Sequence, residues 1–140
     1  KIPPSFSNAS KLVYLEVANN SFSGPVPMML GKLVNLKNLN LQNNLLVNEP
    51  QSTHLDFLRS LDNCGKLEYL ILRDNPLNGF LPDSVGNLSS NLRVIDAASC
   101  KIKGRIPEGL GNLSSLLYLG LNNNGFEGTV PSSLGALQNL

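Results

Sequence analysis

The chain has 140 residues with 11 basic and 10 acidic side chains and no run of like charge, so it lacks the clustered positive face that nucleic-acid binding requires. No stretch of about 18 apolar residues occurs, and the opening Lys1-Ile2-Pro3-Pro4 does not read as a signal peptide, which would show a charged segment followed by an apolar one. Leu, Asn, Gly and Ser dominate and Trp is absent, a bias that points to repetition rather than to an ordinary globular core.

Taken in chain order, Ile2-Pro3 and Phe6 read as the tail of a repeat. The pattern L-x-x-L-x-L-x-x-N then recurs as Leu12, Leu15, Val17, Asn20 and as Leu36, Leu39, Leu41, Asn44. It returns as Leu67, Leu70, Leu72, Asn75, as Leu92, Ile95, Ala97, Cys100, and as Leu116, Leu119, Leu121, Asn124. Successive copies start 24, 31, 25 and 24 residues apart, and Leu140 begins another. The expectation is one solenoid over residues 1–140, with five full repeats starting at Leu12, Leu36, Leu67, Leu92 and Leu116 and partial repeats at both ends. A fragment is expected, and its uncapped ends should fray or associate end to end, because each repeat needs a neighbour to cover its apolar face.

Each element has a physical reason. Alternating apolar residues suit a short strand with one buried face. An inward Asn at the following turn can satisfy buried backbone groups with both its amide donors and its carbonyl. The expected ladder is Asn20, Asn44, Asn75, Cys100 and Asn124. The second half reads Phe22-Ser-Gly24-Pro-Val26-Pro27, Leu77-Asn-Gly79-Phe-Leu81-Pro82, Ile102-Lys-Gly104-Arg-Ile106-Pro107 and Phe126-Glu-Gly128-Thr-Val130-Pro131. Gly permits a positive φ and Pro closes an extended piece, so a second short strand and a turn are predicted in each. Apolar pairs three apart, such as Leu30 and Leu33 or Leu110 and Leu113, predict a helical or 3₁₀ turn after it.

The full unit L-x-x-L-x-L-x-x-N-x-L-x-G-x-[IVL]-P-x-x-[LV]-x-x-L resembles the plant-specific class of leucine-rich repeats. That resemblance implies an α/β repeat solenoid: a right-handed superhelix with a concave parallel β-sheet, short second strands and 3₁₀ or helical turns on the convex side. The segment Asp56-Phe57-Leu58-Arg59-Ser60-Leu61-Asp62-Asn63-Cys64 is similar to one in ectodomains of the receptor-kinase subfamily that includes immune receptors for flagellin and elongation factor. The function this implies is recognition of a peptide or protein ligand, with a co-receptor, on the extracellular side of the plasma membrane, in immune or developmental sensing. The alternative is a stand-alone secreted repeat protein such as a cell-wall enzyme inhibitor or an ice-binding protein. No kinase motif occurs, and neither nucleic acid nor membrane contact by this segment is expected.

Solvent-facing strand positions supply the ligand-binding candidates. Tyr69, Ile71, Arg73 and Asp74 gather in one repeat with Asp96 beside them, and Tyr14, Glu16 and Tyr118 lie further out in the same columns. Five strands of about six residues give a face of roughly 24 by 20 Å, on the order of 500 Å². A standard interface takes about 800 Å² from each partner. The extra segment Asn48–His54 is polar and contains Pro, so it reads as a loop acting as a spacer.

Catalytic chemistry has no constellation to stand on. His54 is the only histidine and reads as a solvated loop residue, and nothing marks Asp56 and Asp62 as acid and base. No metal site or cofactor is expected. Cys64 takes a turn-side core slot and Cys100 an Asn-ladder slot, ~15 Å or more apart within a repeat. A disulfide needs about 7 Å between Cα atoms, so no disulfide and two buried free thiols are expected. The sequons at Asn8, Asn19, Asn87 and Asn112 are glycosylation candidates. A glycan at Asn19 would obstruct the concave edge.

Overall fold

The computed structural model describes residues 1–140. Strands form where apolar and outward residues alternate: β1 Tyr14–Glu16, β3 Asn38–Asn40, β5 Tyr69–Ile71, β6 Val94–Asp96 and β8 Tyr118–Gly120. These make one parallel sheet in the order β1-β3-β5-β6-β8. The register aligns Leu15, Leu39, Leu70, Ile95 and Leu119, one apolar residue per strand, on the inner side. Backbone pairing runs past the strand ends, through Leu41 N–H to Ile71 C=O at 2.8 Å, Leu72 N–H to Asp96 C=O at 2.7 Å and Ala97 N–H to Gly120 C=O at 2.8 Å.

The second halves form shorter strands, β2 Ser23–Pro25 paired with β4 Leu45–Val47, and β7 Lys103–Gly104 paired with β9 Gly125–Phe126. The strand predicted over Leu77–Pro82 is a correction: it shrinks to a bridge at Phe80, joined to His54 on one side and Lys103 on the other. Its neighbour is the inserted segment rather than a regular strand. Phe80 N–H donates to Thr53 C=O and Leu55 N–H donates to Phe80 C=O, both at 2.9 Å. The insertion therefore extends the pairing of the second layer.

Behind the sheet, 3₁₀ turns follow Pro3, Pro27, Pro82, Pro107 and Pro131. Each proline's carbonyl accepts from the N–H three residues on, at 3.0–3.2 Å, in Phe6, Leu30, Val85, Leu110 and Leu134. The enlarged repeat replaces this turn with a short helix, α1 Asp56–Ser60, and a 3₁₀ turn over Leu61–Asn63. Adjacent turns touch through backbone. A Cβ on Gly31 would stand 2.2 Å from Ser60 O, and one on Gly86 2.2 Å from Gly109 O. Only glycine permits that approach. Between sheet and turns runs one continuous apolar core, from Ile2 to Leu137, with Phe6, Leu12, Val17 and Phe22 half-buried at one end and Leu121, Phe126 and Leu134 at the other.

The inward asparagines hold the repeats together. Asn75 is 2% exposed. Its amide donates to Leu41 C=O at 2.8 Å in the previous repeat and to Leu72 C=O at 2.9 Å in its own, while its carbonyl accepts Leu46 N–H at 3.0 Å. Asn44 serves Val17 C=O, Leu41 C=O and Phe22 N–H in the same way, and Asn124 serves Ala97 C=O, Leu121 C=O and Ile102 N–H. Asn20 departs from the inward expectation. It is exposed, with no earlier turn over it, and donates only to Val17 and Ala18 C=O. Cys100 fills its slot incompletely. Its thiol reaches Leu72 C=O and Ala98 C=O at 3.3 Å, but it has no carbonyl for Leu77 N–H, which turns back to Asn75 C=O at 2.8 Å.

Two substitutions test this ladder by urea denaturation. Asn75→Ala leaves Leu46 N–H unpaired in the core and removes one of the donors to Leu41 and Leu72 C=O, and should cost about 3 kcal/mol. Cys100→Asn returns the missing acceptor and second donor and should add about 1 kcal/mol. An Asn75→Ala cost no larger than that of an exposed substitution would show that the ladder does not hold the repeats.

Candidate sheet-face binding site

Pairing fixes the open face of the sheet as columns. One column is Tyr14, Asn38, Tyr69, Val94 and Tyr118; the next is Glu16, Asn40, Ile71, Asp96 and Gly120. Beyond the strands, Asn19, Asn43, Asp74, Ser99 and Asn123 all adopt left-handed φ of 52–57°. Asn and Asp tolerate that region best among residues with a side chain. The shared conformation turns the chain away from the sheet and presents these side chains along one rim, where Asn43 Nδ2 donates to Asn19 Oδ1 at 3.0 Å.

The expected patch comes together around Arg73. Its Nε meets Asp74 Oδ2 at 3.2 Å, and its Nη1 lies 3.7 Å from Asp96 Oδ2. The hydrogen bond to Asp74, then the attraction of Asp96, holds the guanidinium above its ordinary pKa. Asp96 is anchored by its other oxygen, which accepts Ala98 N–H at 3.1 Å. Tyr69 and Ile71 are half-buried on the same strand. Tyr118 is 45% exposed on the neighbouring side of Asp96.

Tyr14 and Glu16 lie apart from this cluster, on the far side of β3. Tyr14 is 63% exposed. Glu16 is already engaged: Asn38 Nδ2 donates to Oε1 at 2.6 Å and Asn40 Nδ2 to Oε2 at 3.0 Å. Sequence reasoning missed those two asparagines and Gly120. Their signal was positional, since they share columns with the chosen residues, but a preference for Tyr and Arg passed over them. At the N-terminal rim, Lys37 pairs with Glu68 at 3.1 Å.

The other sequence candidates lie elsewhere. His54 is exposed, its Nδ1 3.2 Å from Thr53 Oγ1 and its ring 5.8 Å from that of Phe80. Asp56 accepts a hydrogen bond from Ser52 Oγ, which holds the inserted loop closed. Asn48 tightens the same loop by donating to Ser52 and His54 C=O at 2.9 and 3.0 Å. A hollow of about 180 Å³ at its root is lined by Glu49, Pro50, Pro76 and Asn78, away from the sheet face. Cys64 and Cys100 are buried free thiols, pushed up by burial to about 11 and about 12. Asn8, Asn19, Asn87 and Asn112 are all exposed.

With this geometry in place the class is defined. The family described as Leucine Rich Repeat matches residues 11–33, 66–88, 91–113 and 115–137. The chain belongs to the leucine-rich repeat family. The repeat left unmatched is the enlarged one. The chain is 37% identical over 144 residues to Receptor-like protein 18 of Arabidopsis thaliana, covering 90% of this chain and 17% of that protein. It is 45% identical over 93 residues to Receptor kinase-like protein Xa21 of Oryza sativa subsp. japonica, covering 66% and 9%. The chain thus spans a small part of the curated relatives it matches. Among solved structures, the plant peptide hormone receptor RGFR1 in complex with RGF2 aligns with a TM-score of 0.90 at 34% identity, covering 99% of this chain and 21% of that one.

Asp62 takes a position that glycine holds in four of the other turns, at Gly31, Gly86, Gly111 and Gly135. Its Oδ1 is buried without a partner, and so is Ser84 Oγ. Burial raises its pKa, with Arg59 opposing. A raised folded-state pKa means the carboxylate costs stability above the unfolded value and nothing below it. Asp62→Asn should therefore stabilise the chain near neutral pH, with the gain fading as pH falls through the ordinary Asp range. Denaturation at pH 7 and pH 3 checks this; an equal effect at both would contradict it.

Proposed function

We propose that this chain is a ligand-recognition segment of the extracellular part of a plant receptor-like protein or receptor kinase, and that it binds a peptide or protein on the open sheet face. The observation that carries the reading is the face itself: five parallel strands present aromatic, amide and charged side chains that no element of the chain covers. The likeness to RGFR1, a plant peptide hormone receptor in complex with RGF2, supports it.

An extended peptide lying across the strands would meet side chains already fixed by one another. Glu16 is held by Asn38 and Asn40, and Arg73 by Asp74. Such preorganisation lowers the entropy that binding must overcome. Tyr69 and Tyr118 offer large rigid surfaces of the kind that dominate interfaces. We read residues 1–140 as one solenoid of five full repeats, part of a membrane-anchored protein, with a co-receptor completing the assembly. A face of on the order of 500 Å² is smaller than the roughly 800 Å² each partner normally contributes, so the ligand should extend onto further repeats. Glycans at Asn87 and Asn112, in the turns behind the sheet, would leave the face open, in keeping with this use.

The test is to pan a random peptide library on the 140-residue chain and titrate the captured peptides. Tyr69→Ala and Tyr118→Ala should each weaken binding about tenfold or more, while Met28→Ala and Phe80→Ala, away from the sheet, should leave it unchanged. Capture of no peptide, or binding that depends on Met28 or Phe80 alone, would overturn the proposal.

A further inference from the structure

Each repeat of a solenoid touches only its neighbours, so one weak interface divides the chain into blocks. The interface between the repeats starting at Leu67 and Leu92 is weak in two separate layers. The first is the ladder. Asn44, Asn75 and Asn124 each close the interface before them with two amide donors and a carbonyl. Cys100 closes this one with a single S–H, 3.3 Å from Leu72 C=O, and it has no amide carbonyl for Leu77 N–H.

The second is the row of turns. Gly31, Gly86 and Gly111 lie so close to the next turn that a Cβ would stand 2.2, 2.2 and 2.5 Å from Ser60, Gly109 and Ser133 O. These pairs hold equivalent places in the repeat, and across this interface the equivalent pair is Asp62 and Ser84. Asp62 has a Cβ, so these two turns cannot close by the same backbone approach. Asp62 Oδ1 and Ser84 Oγ are both buried without a hydrogen-bond partner. The sheet side, by contrast, is intact. Leu72 and Asp74 N–H donate to Asp96 and Ala98 C=O at 2.7 and 3.0 Å, and Ser89 Oγ donates to Gly65 C=O at 2.9 Å.

We propose that this interface is the hinge of the solenoid. The repeats up to Pro82 and those from Leu92 onward move as two blocks, joined along the sheet and loosened behind it, and a peptide lying across β5 and β6 locks them together. The locking rests on the peptide-binding reading of the sheet face; the hinge does not. Tyr69 and Ile71 belong to one block, Val94 and Asp96 to the other. The one polar side-chain contact between the blocks on the open face, Arg73 Nη1 to Asp96 Oδ2, is 3.7 Å long, beyond hydrogen-bond reach. A peptide touching both strands adds contacts that exist only when the blocks are closed, so its binding and their closure favour each other. Occupancy of the face is thereby converted into rigidity of the chain.

Amide hydrogen exchange on the 140-residue chain, resolved residue by residue, tests this. Asn43 and Asp74 hold equivalent places, their N–H groups donating to Arg73 and Ala98 C=O at 2.9 and 3.0 Å across successive interfaces. The protection factor of Asp74 should be about tenfold or more below that of Asn43. Asp62→Gly and Cys100→Asn each repair one of the two layers. Each should raise the protection of Asp74 about tenfold and that of Asn43 by less. Equal protection of the two amides, or repairs that leave Asp74 unchanged, would overturn the hinge. A saturating peptide from the library, chosen because its binding needs Tyr69, should raise the protection of Asp74, and by less in the Cys100→Asn chain. Binding of that peptide with Asp74 exchanging as before would overturn the locking and leave the sheet-face reading standing. Capture of no sheet-face peptide would overturn the locking together with that reading.

Discussion

Every repeat of this chain must bury the turn that leaves its strand, and with it backbone carbonyls and N–H groups that water can no longer reach. Leaving such groups unpaired costs as much as several ordinary hydrogen bonds return. The inward asparagine resolves the conflict because one amide carries two donors and an acceptor at a fixed spacing. Asn44, Asn75 and Asn124 each bind a carbonyl of the previous repeat, a carbonyl of their own and an N–H of the previous repeat. That three-way contact sets the spacing and register of the strands, and the strands in turn set which side chains share a column. The open sheet face is thus a consequence of buried backbone pairing rather than of any contact within the face.

Much of this was legible in the sequence because the constraint is periodic. The L-x-x-L-x-L-x-x-N pattern placed the sheet register, the buried leucines and the ladder positions; the Gly-x-[IVL]-Pro half placed the second strands at Ser23–Pro25, Lys103–Gly104 and Gly125–Phe126 but not the one at Leu45–Val47, and apolar pairs three apart placed the 3₁₀ turns. What broke the period was less legible. The insertion in the enlarged repeat looked like a spacer, yet it pairs with Phe80 through Thr53 and Leu55 and replaces the strand expected there. Two of its features, the loop-closing Asn48 and Ser52, are ordinary polar residues in sequence and acquire a role only when the loop folds back. Likewise Asp62 in a glycine slot and Cys100 in an asparagine slot announce a departure, but which atom goes unpaired depends on coordinates.

The candidate site divides along the same line. Columns could be named from spacing, so Tyr69, Arg73, Asp74 and Asp96 were found together. Side-chain direction could not. That Glu16 is tied up by the Asn38 and Asn40 amides, while Asp96 is held between Ala98 N–H and the Arg73 guanidinium, separates two carboxylates that look alike in the sequence. Gly120 would be read as a gap in the face. Its effect is the opposite, since it lets Tyr118 lie across the strand and close that gap with an aromatic surface.

The central claim is that ligands engage the open sheet face. Oxidative footprinting with a library-selected peptide addresses it most directly, because the chain has reporters on both sides: Tyr14, Tyr69 and Tyr118 on the face, and the exposed Met28, Met29 and Phe80 elsewhere. The account predicts that saturating peptide slows modification of Tyr69 and Tyr118 and leaves Met28, Met29 and Phe80 unchanged. Protection of Phe80 or of the methionines with Tyr69 and Tyr118 still fully reactive would contradict it.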